Sequence, residues 1–83
     1  MPSTRPGILS CIGRTPLLPL RHLAPRNSAC VLLKVESHNP TGSMKDRTAL
    51  AMIEAAEADG RLPEGRGIVE YTGGSTGVSL ALI

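Results

Sequence analysis

Two short runs in this chain combine residue types and spacing that suit chemistry. The first is Asn39-Pro40-Thr41-Gly42-Ser43-Met44-Lys45-Asp46-Arg47. Thr41 or Ser43 is placed to cap a following helix, and Asp46 falls in its first turn, where a carboxylate suits the macrodipole. Lys45 shares that turn, and the positive helix end makes a charged ammonium less comfortable there. A lysine whose neutral amine is accessible attacks carbonyl carbon and forms a Schiff base. Read only from charge and position, the same residue is more often a solvated lysine near a helix start. The second run is Thr72-Gly73-Gly74-Ser75-Thr76-Gly77. Gly73 and Gly74 allow the backbone close to a ligand, and amides at a helix start favour phosphate or carboxylate. Thr72, Ser75 and Thr76 add hydroxyls. The run is neither GxxxxGK[ST] nor GxGxxG, so composition leaves two readings: a generic anion cradle, or a tight turn with no ligand.

Other constellations are thin. His22, His38, Cys11 and Cys30 show no CxxC or HxxxH spacing, which argues against a metal site. Two cysteines allow at most one bridge and are expected to be reduced small apolar fillers. Glu36 and Glu70 have no partner visible in the sequence, although Val35-Glu36 leads toward Lys45 and suggests the edge of a site. Met44 and Met52 read as core residues.

The elements that must position these runs follow from pattern. Residues 1–14 read as an irregular lead-in with one apolar patch, Ile8-Leu9. Thr15–Leu20 is apolar but interrupted by prolines, which suits a short edge strand. Cys30–Glu36 is β-branched and apolar and predicts a strand. His38–Ser43 is a polar turn. Ala49, Met52, Ile53 and Ala56 then recur at helical spacing, predicting an amphipathic helix over about 43–59 stopped by Gly60. Arg61–Gly67 is a loop, Ile68–Tyr71 a second strand, and Val78–Ile83 the start of an apolar helix. Strand, helix, strand, helix is the grammar of an α/β fold.

Composition bounds the whole. The chain has 83 residues, no Phe, no Trp and one Tyr, so aromatic burial is nearly absent. A chain this short buries only roughly 60% of its unfolded surface, and a core standing alone is marginal. The net charge of +2 is too weak for nucleic acid, and aromatic stacking residues are missing. Arg5, Arg14, Arg21, Arg26 and Lys34 precede the first acid, yet five prolines in that stretch oppose the amphipathic helix of a transit peptide. No apolar run approaches the ~18 residues of a membrane span. A soluble cytoplasmic chain is expected.

Taken together, the runs carry a resemblance. Ile12-Gly13-Arg14-Thr15-Pro16-Leu17, then Leu33-Lys34-Val35-Glu36 leading into Asn39–Arg47, then Glu70–Gly77, follow the order seen in the cysteine synthase and cystathionine beta-synthase family. These are pyridoxal-phosphate enzymes of the tryptophan synthase beta fold, a two-domain, three-layer αβα architecture. The resemblance covers about residues 8–83. It implies that Lys45 carries pyridoxal 5'-phosphate covalently and shuttles the α-proton. It implies that Thr72, Gly73 and Thr76 hold the substrate α-carboxylate and that Ser75 faces the cofactor, where cysteine synthases usually have Asn. Gly73 likewise replaces a usual Ser.

The chain then reads as the N-terminal part of such an enzyme. Residues 1–14 are the lead-in, 15–42 are strands expected to pack on the large domain, and 43–83 open the small α/β domain. The resemblance implies a parent reaction of β-elimination and replacement on O-acetylserine or a similar serine-derived amino acid, in a homodimer, and no metal, nucleic acid or membrane partner is expected. The cofactor's phosphate loop and the residue meeting its ring nitrogen are expected further along, so the 83 residues alone are expected to be inactive. A serine or threonine dehydratase-like lyase, a non-enzymatic remnant and an anion-binding module are the alternatives.

Overall fold

A computed structural model describes residues 7–83. A 3-10 turn over Gly7–Cys11 occupies the expected irregular lead-in, whose first six residues lie outside the described part. The first strand, β1, is Leu17–Pro19, and β2 is Leu32–Lys34. They pair antiparallel with Leu17 opposite Lys34, Leu18 opposite Leu33 and Pro19 opposite Leu32. Flanking bonds from Leu20 N–H to the Val31 carbonyl and from Val35 N–H to the Pro16 carbonyl, both 2.9 Å, extend this ribbon at each end. Pro19 lacks a donor and is tolerated because neither strand has a second neighbour among the described residues. The strand expected over Cys30–Glu36 is thus real but shorter.

A 3-10 turn at Glu36–His38 leads to helix α1, Lys45–Ala58. Its end matches the expected stop: Gly60 takes φ +82°, and its N–H reaches the Glu57 carbonyl at 3.4 Å. A side chain at that φ is strained, which is why glycine follows the helix end. Helix α2, Ser75–Leu82, begins inside the glycine-rich run and packs on α1.

Two expectations fail here. Ile68–Tyr71 forms no strand, with Val69 and Tyr71 98% and 100% exposed. Among the described residues the one sheet is β1–β2, and an isolated segment has no ladder to satisfy its backbone, so water does. Met44 and Met52, read as core, are 55% and 45% exposed. Met52, Ile53 and Ala56 instead face an open hollow of about 620 Å³ that Leu62, Ile68 and Leu80 also line.

Burial is inverted relative to an ordinary domain. The buried apolar residues are Ile12, Ala49 and Leu50, whereas Thr15, Asn39, Asp46 and Ser79 are buried polar ones. Leu17, Leu18, Val31, Leu32 and Leu33 on the ribbon are all exposed, as expected for strands that one helix cannot cover. The Cα radius of gyration is 16.4 Å, against about 12 Å for a compact chain of this length. Hydrophobic collapse therefore contributes little, and polar contacts set the tertiary geometry.

Candidate functional site

Lys45 is the first residue of α1 and half-buried. Its backbone N–H donates to Ser43 Oγ at 3.1 Å, so Ser43 satisfies one of the helix's unpaired amides. Thr41 does not cap with its side chain in the expected way. Its N–H and hydroxyl both donate to the Asp46 carboxylate, the former at 2.8 Å. Among the described residues nothing accepts a hydrogen bond or ion pair from the Lys45 ammonium. The other lysine, Lys34, differs: its Nζ donates to the Thr15 carbonyl at 2.7 Å.

The second run folds around Thr72. The N–H groups of Gly74 and Gly77 donate to Thr72 Oγ1 at 3.1 and 3.0 Å. Gly77 is required there, because an added Cβ would lie 2.6 Å from Thr72 Cγ2. Gly74 adopts φ +152°, and a Cβ built on Gly73 or Gly74 meets nothing within 4 Å. Thr72, Gly73 and Ser75 are exposed, and Thr76 is half-buried in the first turn of α2. Thr72 accepts twice and keeps its own O–H to donate, while the Ser75 and Thr76 hydroxyls bond to no described residue. The donors left over are the amine of Lys45 in one run and, in the other, three hydroxyls and helix-start amides beside open backbone. Chemically, an amine suits a carbonyl and the second group suits an anion, functions that pyridoxal phosphate and an amino-acid carboxylate offer.

The two runs are tied by a contact that sequence reasoning missed. Ser79 on α2 donates from Oγ to Asp46 Oδ1 at 2.6 Å, and Thr41 Oγ1 lies 3.4 Å from the same hydroxyl. Asp46 and Ser79 are fully buried. Burial by itself would raise the Asp46 pKa, but the Ser79 hydroxyl and the Thr41 hydroxyl and amide outweigh it and hold the carboxyl below its ordinary value. The signal was present: Ser79 is the one polar residue in Val78-Ser79-Leu80-Ala81-Leu82-Ile83.

Glu36, which had no visible partner in sequence, joins a second cluster. Arg47 Nε and Nη2 donate to its two oxygens at 2.6 and 3.1 Å. Arg47 Nη2 also donates to Thr15 Oγ1 at 3.0 Å, and Thr15 donates to Glu36 at 2.8 Å. Asn39 Nδ2 donates to the Glu36 carbonyl and carboxylate, while its Oδ1 accepts from Gly13 N–H at 2.8 Å. The Arg47 hydrogen bond, then that from Thr15, lowers the Glu36 pKa to about 2. Here spacing gives nothing away, because Thr15, Glu36 and Arg47 meet only when the end of the ribbon reaches the start of α1. Among the described residues no group of three or more His, Cys, Asp or Glu is placed to hold a metal, and no helix is long and apolar enough to cross a membrane.

The chain is similar to known proteins in sequence and in fold. The chain is 47% identical over 75 residues to cysteine synthase B of Pseudomonas syringae pv. syringae, covering 90% of this chain and 44% of that protein. It is 50% identical over 76 residues to cysteine synthase of Staphylococcus aureus strain Mu50, covering 92% of this chain and 24% of that one. Among solved structures, O-acetyl serine sulfhydrylase isoform 3 from Entamoeba histolytica superposes with TM-score 0.82 at 39% identity, over 99% of this chain and 26% of that chain. O-ureido-L-serine synthase gives TM-score 0.80 at 51% identity, over 89% and 23%. The fold is thus that of the corresponding part of these α/β enzymes, and the chain spans between about a quarter and under half of their length. Residues 8–83 match the pyridoxal-phosphate dependent enzyme family, and with this likeness running through both the lysine turn and the glycine-rich run, the chain belongs to that family.

Proposed function

We propose that this chain supplies the lysine and the substrate-carboxylate loop of a cysteine synthase-type enzyme, one acting on O-acetylserine or a similar serine-derived amino acid. The observation that carries the reading is that Lys45, half-buried at the start of α1, has an amine without a partner among the described residues. Lys45 holds the cofactor and then moves the substrate α-proton. Thr72, Gly73 and Thr76 bind the substrate carboxylate through hydroxyl and amide donors, and Ser75 donates to the cofactor. Bound pyridoxal phosphate supplies the electron-poor ring that stabilises a carbanion. Asp46 and Arg47 anchor the turn on either side of Lys45, toward α2 and toward the ribbon. In this reading residues 15–42 pack on the large domain and 43–83 open the small one.

Lys34 provides an internal control, since the chain has two lysines. Pyridoxal phosphate followed by borohydride should leave the pyridoxyl group on Lys45 in preference to Lys34, read by peptide mass mapping. Equal labelling of both lysines would overturn the assignment of Lys45.

A further inference from the structure

The carboxylate next to Lys45 is spent entirely on holding two segments together. Asp46 accepts from Thr41 N–H at 2.8 Å, from the Thr41 hydroxyl, and from the Ser79 hydroxyl at 2.6 Å. No buried polar side-chain atom among the described residues is left without a partner. Thr41 lies in the turn that delivers Lys45, so the first two bonds fix the start of α1. Ser79 lies on α2 one turn beyond Ser75 and Thr76, and its Oγ is also 3.1 Å from the Ser75 carbonyl. The third bond therefore reaches the helix turn that carries the carboxylate loop. A buried carboxylate has no water to exchange for a lost donor. Sliding α2 past α1 thus breaks a charged hydrogen bond, which is among the stronger kinds.

We propose that Asp46 is a positioning residue: through Thr41 and Ser79 it holds Lys45 in register with the Thr72–Thr76 loop. This rests on the reading of Lys45 and that loop given above. Asp46 itself touches neither cofactor nor substrate. Its effect is to limit where the Lys45 amine can sit relative to the donors that receive the anionic end of the ligand, as positioning requires.

The test uses the same chain, pyridoxal phosphate and borohydride, and reads the Lys45 to Lys34 labelling ratio beside the far-UV helical signal. In Asp46→Asn, which keeps the shape and removes the charge, the ratio should fall several-fold. The same fall is expected in Ser79→Ala, with the helical signal retained in both. Thr41→Ser keeps the hydroxyl and should keep the ratio, while Thr41→Val should lower it. A selective wild-type chain whose Asp46→Asn and Ser79→Ala variants label with unchanged selectivity would sink the positioning role and leave the Lys45 reading standing. Helical signal and ratio lost together would assign Asp46 a purely structural role and overturn the proposal equally. If the wild-type chain labels both lysines alike, the Lys45 reading fails first and this inference falls with it.

Discussion

Asp46 and Arg47 are neighbours in sequence, yet each anchors a different part of the molecule under different physics. Asp46 is fully buried and bonds to Thr41 and to Ser79 on α2. Arg47 keeps a side chain 40% exposed and bonds to Glu36 and Thr15 at the end of the ribbon. In the buried cluster a lost partner leaves donors facing no water, so each bond matters at its full desolvation cost. At the Arg47 guanidinium, whose side chain stays 40% exposed beside buried Thr15 and Asn39, water and salt compete, and its pairing contributes less. Two consecutive residues thus give α1 one rigid attachment and one yielding one. Lys45, immediately before both, inherits its placement mainly from the rigid side.

Substitutions that break the two anchors separately should preserve that ranking. Asp46→Leu removes the acceptor for the Thr41 N–H and for the Thr41 and Ser79 hydroxyls and should give the largest effect, at about 1–3 kcal/mol for each donor left unsatisfied. Amide exchange at Thr41 should rise sharply and α2 should detach from α1. Protection of Thr41 unchanged in this variant would show that the buried carboxylate is not what holds the turn.

Arg47→Lys comes next. It keeps the charge but loses the fork that spans both Glu36 oxygens and Thr15. Exchange at Gly13, whose N–H bonds to Asn39 in the same cluster, should quicken while Thr41 stays protected. High salt should act on wild-type chain in the same direction, on Gly13 alone. Equal sensitivity of both amides would erase the distinction between the anchors.

Acid gives a smaller and more selective effect. Glu36 has its pKa lowered from 4.5 to about 2 in the folded chain. A depressed carboxyl stabilises the fold above the unfolded value and loses that contribution as the folded group is protonated. The Glu36 contribution is therefore complete above about pH 4.5 and disappears as pH falls toward 2. The side-chain amide resonances of Asn39 should move in that window, and Glu36→Gln should flatten the response. A Glu36→Gln chain with an unaltered titration would assign the change to another group.

The smallest effect is expected at Asp59, whose 2.7 Å pair with Arg61 sits at the exposed end of α1. Asp59→Asn should leave Thr41 and Gly13 exchange untouched. A measurable change at either would mean that the far helix end communicates with the anchors.

How much of this was legible beforehand depends on the range of the interaction. Gly60 ends α1 through a local φ preference, and Pro19 marks an unshared strand, so both could be read from the chain. The apolar character of Ile68–Tyr71 was read as a strand, but a strand exists only where a neighbour supplies its ladder, and no local pattern reports that neighbour. Met44 and Met52 failed for the same reason, since hydrophobicity states a tendency to be covered and not whether a cover is present. Within the site, Lys45 and Thr72–Thr76 were recognised as runs. Ser79 was passed over because a lone serine carries no spacing, and Glu36 was read as the edge of a site without its partners, because Thr15 and Arg47 lie far from it along the chain.

The sequence by itself therefore determined the local grammar of this protein: which turn delivers Lys45, where α1 stops, that Thr72–Gly77 is a glycine-rich turn leading into a helix, and the family that these runs in order resemble. Only the tertiary structure decided which polar groups meet. Thr41 and Asp46 lie five residues apart, but Ser79 lies thirty-three from Asp46 and Thr15 thirty-two from Arg47. Hydrogen bonds are directional and short, so partners at that separation are chosen by how the elements pack and not by any pattern along the chain.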